Sequence, residues 1–149
     1  MAVNPWDIRT ALLAKHAQHV VLIHFPIALC LTGVIFDLAG VWTRSKDLAT
    51  VAYWNLTGAA LGAVPAAITG LLAWQLDLEA RPLKGILLLH LLSATTSVVM
   101  IVVVWYSHFR QRRRPDSPHC SYRLPLELAG VLAITVTGYL GGFLTGVNH

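Results

Sequence analysis

The sequence predicts an all-α transmembrane protein, a four-helix bundle with up-down-up-down topology. Two compositional features carry this prediction. Of the 149 residues, 56% are hydrophobic and only 12% are charged, whereas soluble domains carry about 25% charged residues. The third observation is that the apolar residues form four long blocks instead of amphipathic stripes. So few polar groups cannot cover a small soluble globule, and disorder requires the opposite balance of residues.

Each apolar block is long enough to cross a membrane as a helix. The blocks cover about residues 19–42, 49–74, 83–107 and 124–147. About 20 apolar residues cross the hydrocarbon core, and helices are required there because no water satisfies the backbone. Pro26 and Pro65 lie inside spans and are expected to kink them. Because the links are short, consecutive helices are predicted to be antiparallel within one membrane domain, 1–149.

The placement of Lys and Arg predicts the orientation of the bundle. Of the eleven Lys and Arg residues, seven lie in the first and third links, including the run 110–114, and four lie on the opposite side. Positively charged loops stay in the cytoplasm, so both termini are predicted to lie outside. Beside a membrane, the basic run is expected to face lipid headgroups, and nucleic acid is not an expected partner.

Two histidines inside the spans suggest a cofactor. His24 lies about five residues inside the first span and His90 about seven inside the third, so both lie roughly 8–10 Å below the outer ends of their helices. Two imidazoles at one depth on different helices can supply the two axial nitrogens of a haem b. Ionisable groups inside a membrane are costly and often functional. His24 and His90 are therefore predicted to ligate haem iron; hydrogen bonds within the core are the alternative.

Small residues at the same depth on the other two helices would leave room for a flat macrocycle. The predicted cofactor-lining residues are Ala66, Gly70, Gly138, Gly141 and Gly142. Close helix packing is the competing interpretation, because spacings such as Gly58/Gly62 and Gly138/Gly142 are typical of helix contacts in membranes.

The remaining ionisable residues have less specific interpretations. His16 and His19 could bind a second metal, contact a haem propionate or lie in the membrane interface. His108 is assigned to the third link. Asp37 and Glu127 are expected to pair within the bundle or reach water, with a proton path as a weaker alternative.

The run 24–29, HFPIAL, together with His19, resembles the first helix of the bacterial membrane protein family DUF2231, which typically reads H-P-x-x-V-H-F-P-I-A-L. Residues 66–72 are similar to that family's A-x-T-G-L stretch and 138–142 to its G-W-L-G-G ending, while His90 falls where the family has a third-helix histidine. Val20 replaces the proline that follows the first histidine of the motif. The resemblance implies a small four-helix protein of the bacterial inner membrane. It also implies electron transfer, since some members are fused to Rieske-type iron–sulfur domains or lie near cytochromes.

The predicted function is that of a b-type cytochrome, or a membrane subunit of a respiratory or photosynthetic assembly, that passes electrons near the outer face. No nucleophile–base pair or phosphate-binding loop is evident in the sequence, so a non-catalytic electron-transfer subunit is expected. Quinone, other electron-transfer subunits and a second copy of the chain are candidate partners. Two alternatives are a cofactor-free packing or anchoring subunit and a copper or zinc site built from the outer histidines.

Overall fold

The computed structural model describes residues 15–76, 80, 82–113 and 122–144, with side chains from residue 19 onward. Within this part of the chain there are four α-helices and no strand. They are α1 (Lys15–Thr43), α2 (Lys46–Leu76), α3 (Gly85–Arg113) and α4 (Arg123–Leu144). All four are long and apolar enough to cross a membrane. The predicted all-α transmembrane fold is therefore confirmed.

Each helix corresponds to one of the four apolar blocks, but the ends of the helices differ from the ends of the blocks. The first two run without interruption through Pro26 and Pro65. At its C-terminal end α3 continues past residue 107 to Arg113, so His108 lies inside a helix rather than in a link. Apolar composition marks the thickness of the hydrocarbon, whereas a helix can continue into the headgroup layer, where Arg side chains are solvated.

A tight turn joins α1 to α2. Arg44 has a positive φ of 56°, and the Ser45 N–H donates to the Gly40 carbonyl at 3.0 Å. That bond from the second residue after the helix back to its last turn is the Schellman arrangement. The Ser45 hydroxyl then accepts from the Leu48 N–H at 3.3 Å and so caps the start of α2. This turn fixes α1 and α2 as an antiparallel hairpin.

The bundle consists of two hairpins. The most extensive contacts join α1 to α2 and α3 to α4, while α2 meets α3 over a smaller area and α1 touches α4 only briefly. Consequently α1 and α3 stand diagonally opposite each other, as do α2 and α4. Diagonal helices face one another across the bundle axis, which is where cofactors of four-helix bundles are held.

Small residues bring α1 and α2 close together. A Cβ on Gly58 would lie 3.0 Å from Cδ1 of Leu29, and one on Gly62 would lie 3.5 Å from Cδ of Pro26. For these two glycines the structure shows the helix-packing role that their spacing suggests.

Most large apolar side chains point away from the core. The buried core consists of small and medium side chains, namely Cys30, Leu56, Ala59, Ile101, Val104 and Ile134. By contrast Trp42 is 89% exposed and Leu61 70% exposed. A continuous apolar exterior of this kind requires lipid rather than water around it.

The buried faces of the two hairpins repeat at a separation of 71 residues. Each of the seven positions buried in α3 and α4 follows a buried position of α1 or α2 by that interval. The pairs are Pro26/Ser97, Cys30/Ile101, Gly33/Val104, Asp37/His108, Leu56/Glu127, Ala59/Gly130 and Ala63/Ile134. Because both hairpins run in the same direction, a pseudo-twofold axis along the membrane normal relates them. Positions 71 residues apart are therefore equivalent by this pseudo-symmetry.

Candidate functional site

His24, one of the two predicted haem ligands, lies on the outer surface of the bundle. Its side chain is exposed, and its Nδ1 lies 2.5 Å from the carbonyl of Val20 on its own helix. The structure therefore does not bring His24 and His90 together across the core.

His90, the other predicted ligand, lies at the contact between α3 and α4. The residue is half-buried, its Nδ1 is buried, and its ring lies near the backbone of Thr137 on α4. A Cβ on Gly141 would lie 3.2 Å from Cε1 of this imidazole. The ring therefore occupies space that only glycine leaves open at that position of α4.

His19 occupies the corresponding place in the first hairpin. A Cβ on Gly70 would lie 3.0 Å from Cε1 of its ring, and its Nδ1 lies 3.1 Å from Oγ1 of Thr69. The Thr69 hydroxyl donates to the Pro65 carbonyl at 2.9 Å. Its oxygen can then accept from the Nδ1–H tautomer of His19, so Thr69 contributes to holding the ring in place.

The 71-residue repeat matches the depth of His19 with that of His90. The two positions are equivalent in two hairpins that run in the same direction. His24 lies five residues further along α1, which at 1.5 Å per residue is roughly 7.5 Å deeper. His16 belongs to α1, but its side chain is outside the described part of the chain.

The other predicted lining residues divide into two groups. Ala66 is buried, and Gly142 is half-buried near the end of α4. Gly138, in contrast, is exposed, and a Cβ there would meet nothing within 4 Å. Among the contacts that the structure describes, Gly70 and Gly141 are the predicted glycines that lie against an imidazole.

A second group of ionisable residues is buried at the opposite end of the bundle. Arg123 of α4 forms two hydrogen bonds with the carboxylate of Asp37 on α1, one of them from Nε at 3.1 Å. His108 Nε2 on α3 lies 2.7 Å from Oε1 of Glu127, which is also 3.5 Å from Arg123 Nε. Asp37, His108 and Glu127 are each at most 4% exposed. Asp37 thus pairs with Arg123 and Glu127 with His108, both within the bundle, as one of the interpretations of the sequence expects.

A cavity of about 370 Å³ opens onto this group. Asp37, His108 and Arg123 form its inner wall. Its mouth is lined by residues of the first turn and of the α3 end, including Arg44, Lys46, Tyr53, Gln111 and Arg112. The buried ionisable cluster therefore has a route to the polar side of the membrane.

Sequence reasoning missed His108 as a member of this cluster because it assigned the residue to a link. A signal was present, since His108 follows Ile101 and Val104 at intervals of seven and four, which places all three on one face of a helix. The 71-residue repeat is a second signal, because it pairs His108 with Asp37.

The fold and these two groups define a class of protein, a four-helix integral membrane protein built from two equivalent hairpins with ionisable residues inside its spans. The sequence profile of the family described as predicted membrane protein (DUF2231) matches residues 15–148, and the chain belongs to that family. The family membership predicted from the sequence is therefore confirmed. No curated protein and no solved structure matches the chain significantly.

Proposed function

We propose that the chain is a membrane-bound electron-transfer protein that holds haem b at the end where α1 and α3 begin, with His19 and His90 as axial ligands. The observation that carries the proposal is the equivalence of these two residues. They are 71 residues apart, lie at one depth on diagonal helices, and each packs against a glycine of its own hairpin. Two equivalent imidazoles across a pseudo-twofold axis suit an iron with one axial nitrogen on each face.

The same 71-residue equivalence favours His19 over His24 as the ligand on the first helix. The counterpart of His24 in the second hairpin is Thr95, which cannot act as a matching axial ligand. The contacting glycines repeat as well, because Gly141 follows Gly70 by the same 71 residues. The proposal therefore assigns the first-helix ligand to His19, and the predicted role of His24 becomes a point for experiment.

The residues at this end offer two imidazoles, which are donors that haem iron takes. Each ring packs against a glycine, where a Cβ would lie 3.0 Å from Cε1 of His19 or 3.2 Å from Cε1 of His90. Haem b would supply one-electron exchange between ferric and ferrous iron. The chain itself would supply the nitrogens and the apolar surroundings, and Thr69 would orient His19 from the second helix.

An absorption spectrum of the purified protein and three histidine variants test this assignment. We expect a low-spin haem spectrum that His19→Ala and His90→Ala each abolish, because six-coordinate iron requires both nitrogens. His24→Ala is the matched control and should keep the spectrum, since that ring faces outward. Loss of the low-spin signal in His24→Ala but not in His19→Ala would return the ligand role to His24.

The glycines provide an independent arm of the same experiment. Gly141→Leu should reduce haem content because the new side chain would occupy the space of the His90 ring, whereas Gly138→Leu should not, because Gly138 faces open space.

A colourless protein would contradict the proposal. With stoichiometric copper or zinc it would support the metal-site alternative, and without metal the packing-subunit alternative. Quinone and other electron-transfer subunits are proposed partners, to be sought by co-purification once haem is found.

A further inference from the structure

The cluster at the far end of the bundle has no role in the proposed haem site, and its charges do not balance. Arg123 binds both oxygens of the Asp37 carboxylate, so those two charges cancel. Glu127 is 1% exposed, and its Oε2 has no partner among the described residues. With a neutral His108 the four residues therefore carry one uncompensated negative charge, which burial away from water opposes strongly.

One proton removes this imbalance. Added to Glu127 or to His108, it brings the cluster to zero net charge. The 2.7 Å contact between Nε2 and Oε1 is short enough for this proton to pass between the two side chains. A divalent cation is a poorer fit. Ligand atoms of Asp37, His108 and Glu127 do lie within 4.8 Å of one another. A doubly charged ion would nevertheless leave the cluster with one excess positive charge, beside the Arg123 guanidinium that already occupies the carboxylate of Asp37.

The cavity gives this proton a path in one direction. His108 lines the cavity and contacts Oε1 of Glu127, whereas Glu127 itself does not line the cavity, so the imidazole connects the carboxylate to the cavity. Behind Glu127 the core is formed by Leu56, Cys30 and Val104, which offer no hydrogen-bonded chain toward the other end.

Other charged and titratable groups surround the pair on every helix. They are Cys30 and Asp37 on α1, Lys46 and Tyr53 on α2, Arg112 on α3, Arg123 on α4, and Arg44 in the first turn. Arg44, Lys46 and Arg112 give the lining of the cavity a positive charge. They do not reach Glu127, whose closest charged neighbours in the described chain are His108 and Arg123.

We propose that His108 and Glu127 form a proton-binding site inside the membrane that holds one proton between them and exchanges it with the aqueous phase through the cavity. A proton taken up by the His108 ring from the cavity side moves through Nε2 to Oε1 of Glu127, and release follows the reverse route. The site does not depend on haem, because it lies at the other end of the bundle.

The test uses the full-length protein in lipid nanodiscs at neutral pH. Infrared spectroscopy detects a protonated carboxyl group, and nitrogen NMR of labelled histidine detects a charged imidazole. We expect one of these two signatures in the wild-type protein and neither in Glu127→Gln, which keeps a hydrogen-bonding side chain of the same shape. Asp47→Asn is the matched control, because Asp47 is an exposed carboxylate in the first turn of α2. This variant should retain the signature.

A rapid rise in external pH gives the second readout. The wild-type protein should release about one more proton per chain than Glu127→Gln, and His108→Gln should release it more slowly. An ionised Glu127 beside a neutral His108 in the wild-type protein would overturn the proposal, even if a variant failed to insert. Stoichiometric divalent metal that Glu127→Gln removes would overturn it in favour of a cation site.

Discussion

At the scale of single residues, the main energetic risk in this protein is charge buried within the spans. Asp37 and Glu127 would repel each other in a medium of low dielectric, and Arg123 is placed to interact with both. Breaking a buried ion pair by removing one partner is far more costly than removing both, because the remaining charge stays desolvated. Arg123 should therefore be the most sensitive residue of the cluster.

The position of Arg123 between two buried carboxylates predicts that its loss destabilises the protein. Arg123→Gln should lower the free energy of unfolding by about 3–5 kcal/mol, whereas the double variant Asp37→Asn/Arg123→Gln should recover much of that loss. Denaturant titration in mixed micelles measures both values. Arg110→Gln is the control, because that side chain is exposed and should change stability by less than about 0.5 kcal/mol. Equal losses in the single and double variants would show that the buried charge of Asp37 does not depend on Arg123.

The histidines show what the sequence could and could not reveal at this scale. Depth along a helix can be counted from the sequence, and His90 does lie at the α3–α4 contact. Rotation about the helix axis could not be read in the same way, because α1 is apolar on all sides and has no polar face to mark its exterior. His24 was therefore preferred to His19 on depth alone, whereas the packing of α1 on α2 and the 71-residue repeat both distinguish the two residues.

At the scale of elements, the close contact of α1 with α2 depends on positions without a side chain. Near the turn, a Cβ on Gly40 would lie 3.1 Å from the backbone nitrogen of Ala49 and 3.4 Å from the Ser45 carbonyl oxygen. Backbone atoms held in a capped turn cannot move aside as a flexible side chain can. The hairpin geometry therefore requires glycine at this position.

Two alanine substitutions test this requirement. Gly40→Ala should destabilise the protein by about 1–3 kcal/mol, because the added methyl group forces the two helices apart. Gly138→Ala introduces the same methyl group into open space and should be neutral or stabilising by up to about 1 kcal/mol, since alanine favours the helix. Unfolding of both variants under identical conditions gives the comparison. A neutral Gly40→Ala would mean that the turn relaxes at little cost.

The positions of the helices could be predicted because composition alone distinguishes lipid-crossing segments from the rest. The ends of the helices could not be predicted in this way, and the error had its largest effect at α3. Its predicted end at residue 107 left His108 in a link, whereas the helix reaches Arg113 and carries His108 into contact with Glu127. The cluster joins residues of α1, α3 and α4 that are far apart in the chain, so it becomes visible only when the helices are packed.

At the scale of the whole molecule, the pseudo-twofold arrangement separates two kinds of site. At the end where α1 and α3 begin, equivalent positions carry the same residue type, as with His19 and His90 or Gly70 and Gly141. At the other end they differ, because Leu56 and Ala52 of the first hairpin correspond to Glu127 and Arg123 of the second. A symmetric site therefore suits a symmetric ligand such as iron between two imidazoles, while the asymmetric cluster suits a single proton.

The orientation of the bundle determines which side of the membrane each site faces. Because seven of the eleven Lys and Arg residues lie on the side of the first and third links, we predict that the proton-binding end is cytoplasmic and the histidine end is outside. A green fluorescent protein fused after Arg114 should fluoresce, because it folds in the cytoplasm. An alkaline phosphatase fused after His149 should be active, because it requires export.

The reverse pair of fusions, phosphatase after Arg114 and fluorescent protein after His149, is the control and should be silent. If the control fusions are active and the first pair silent, the orientation is inverted. The cavity beside His108 would then exchange protons with the external phase, and electrons would be exchanged at the inner face.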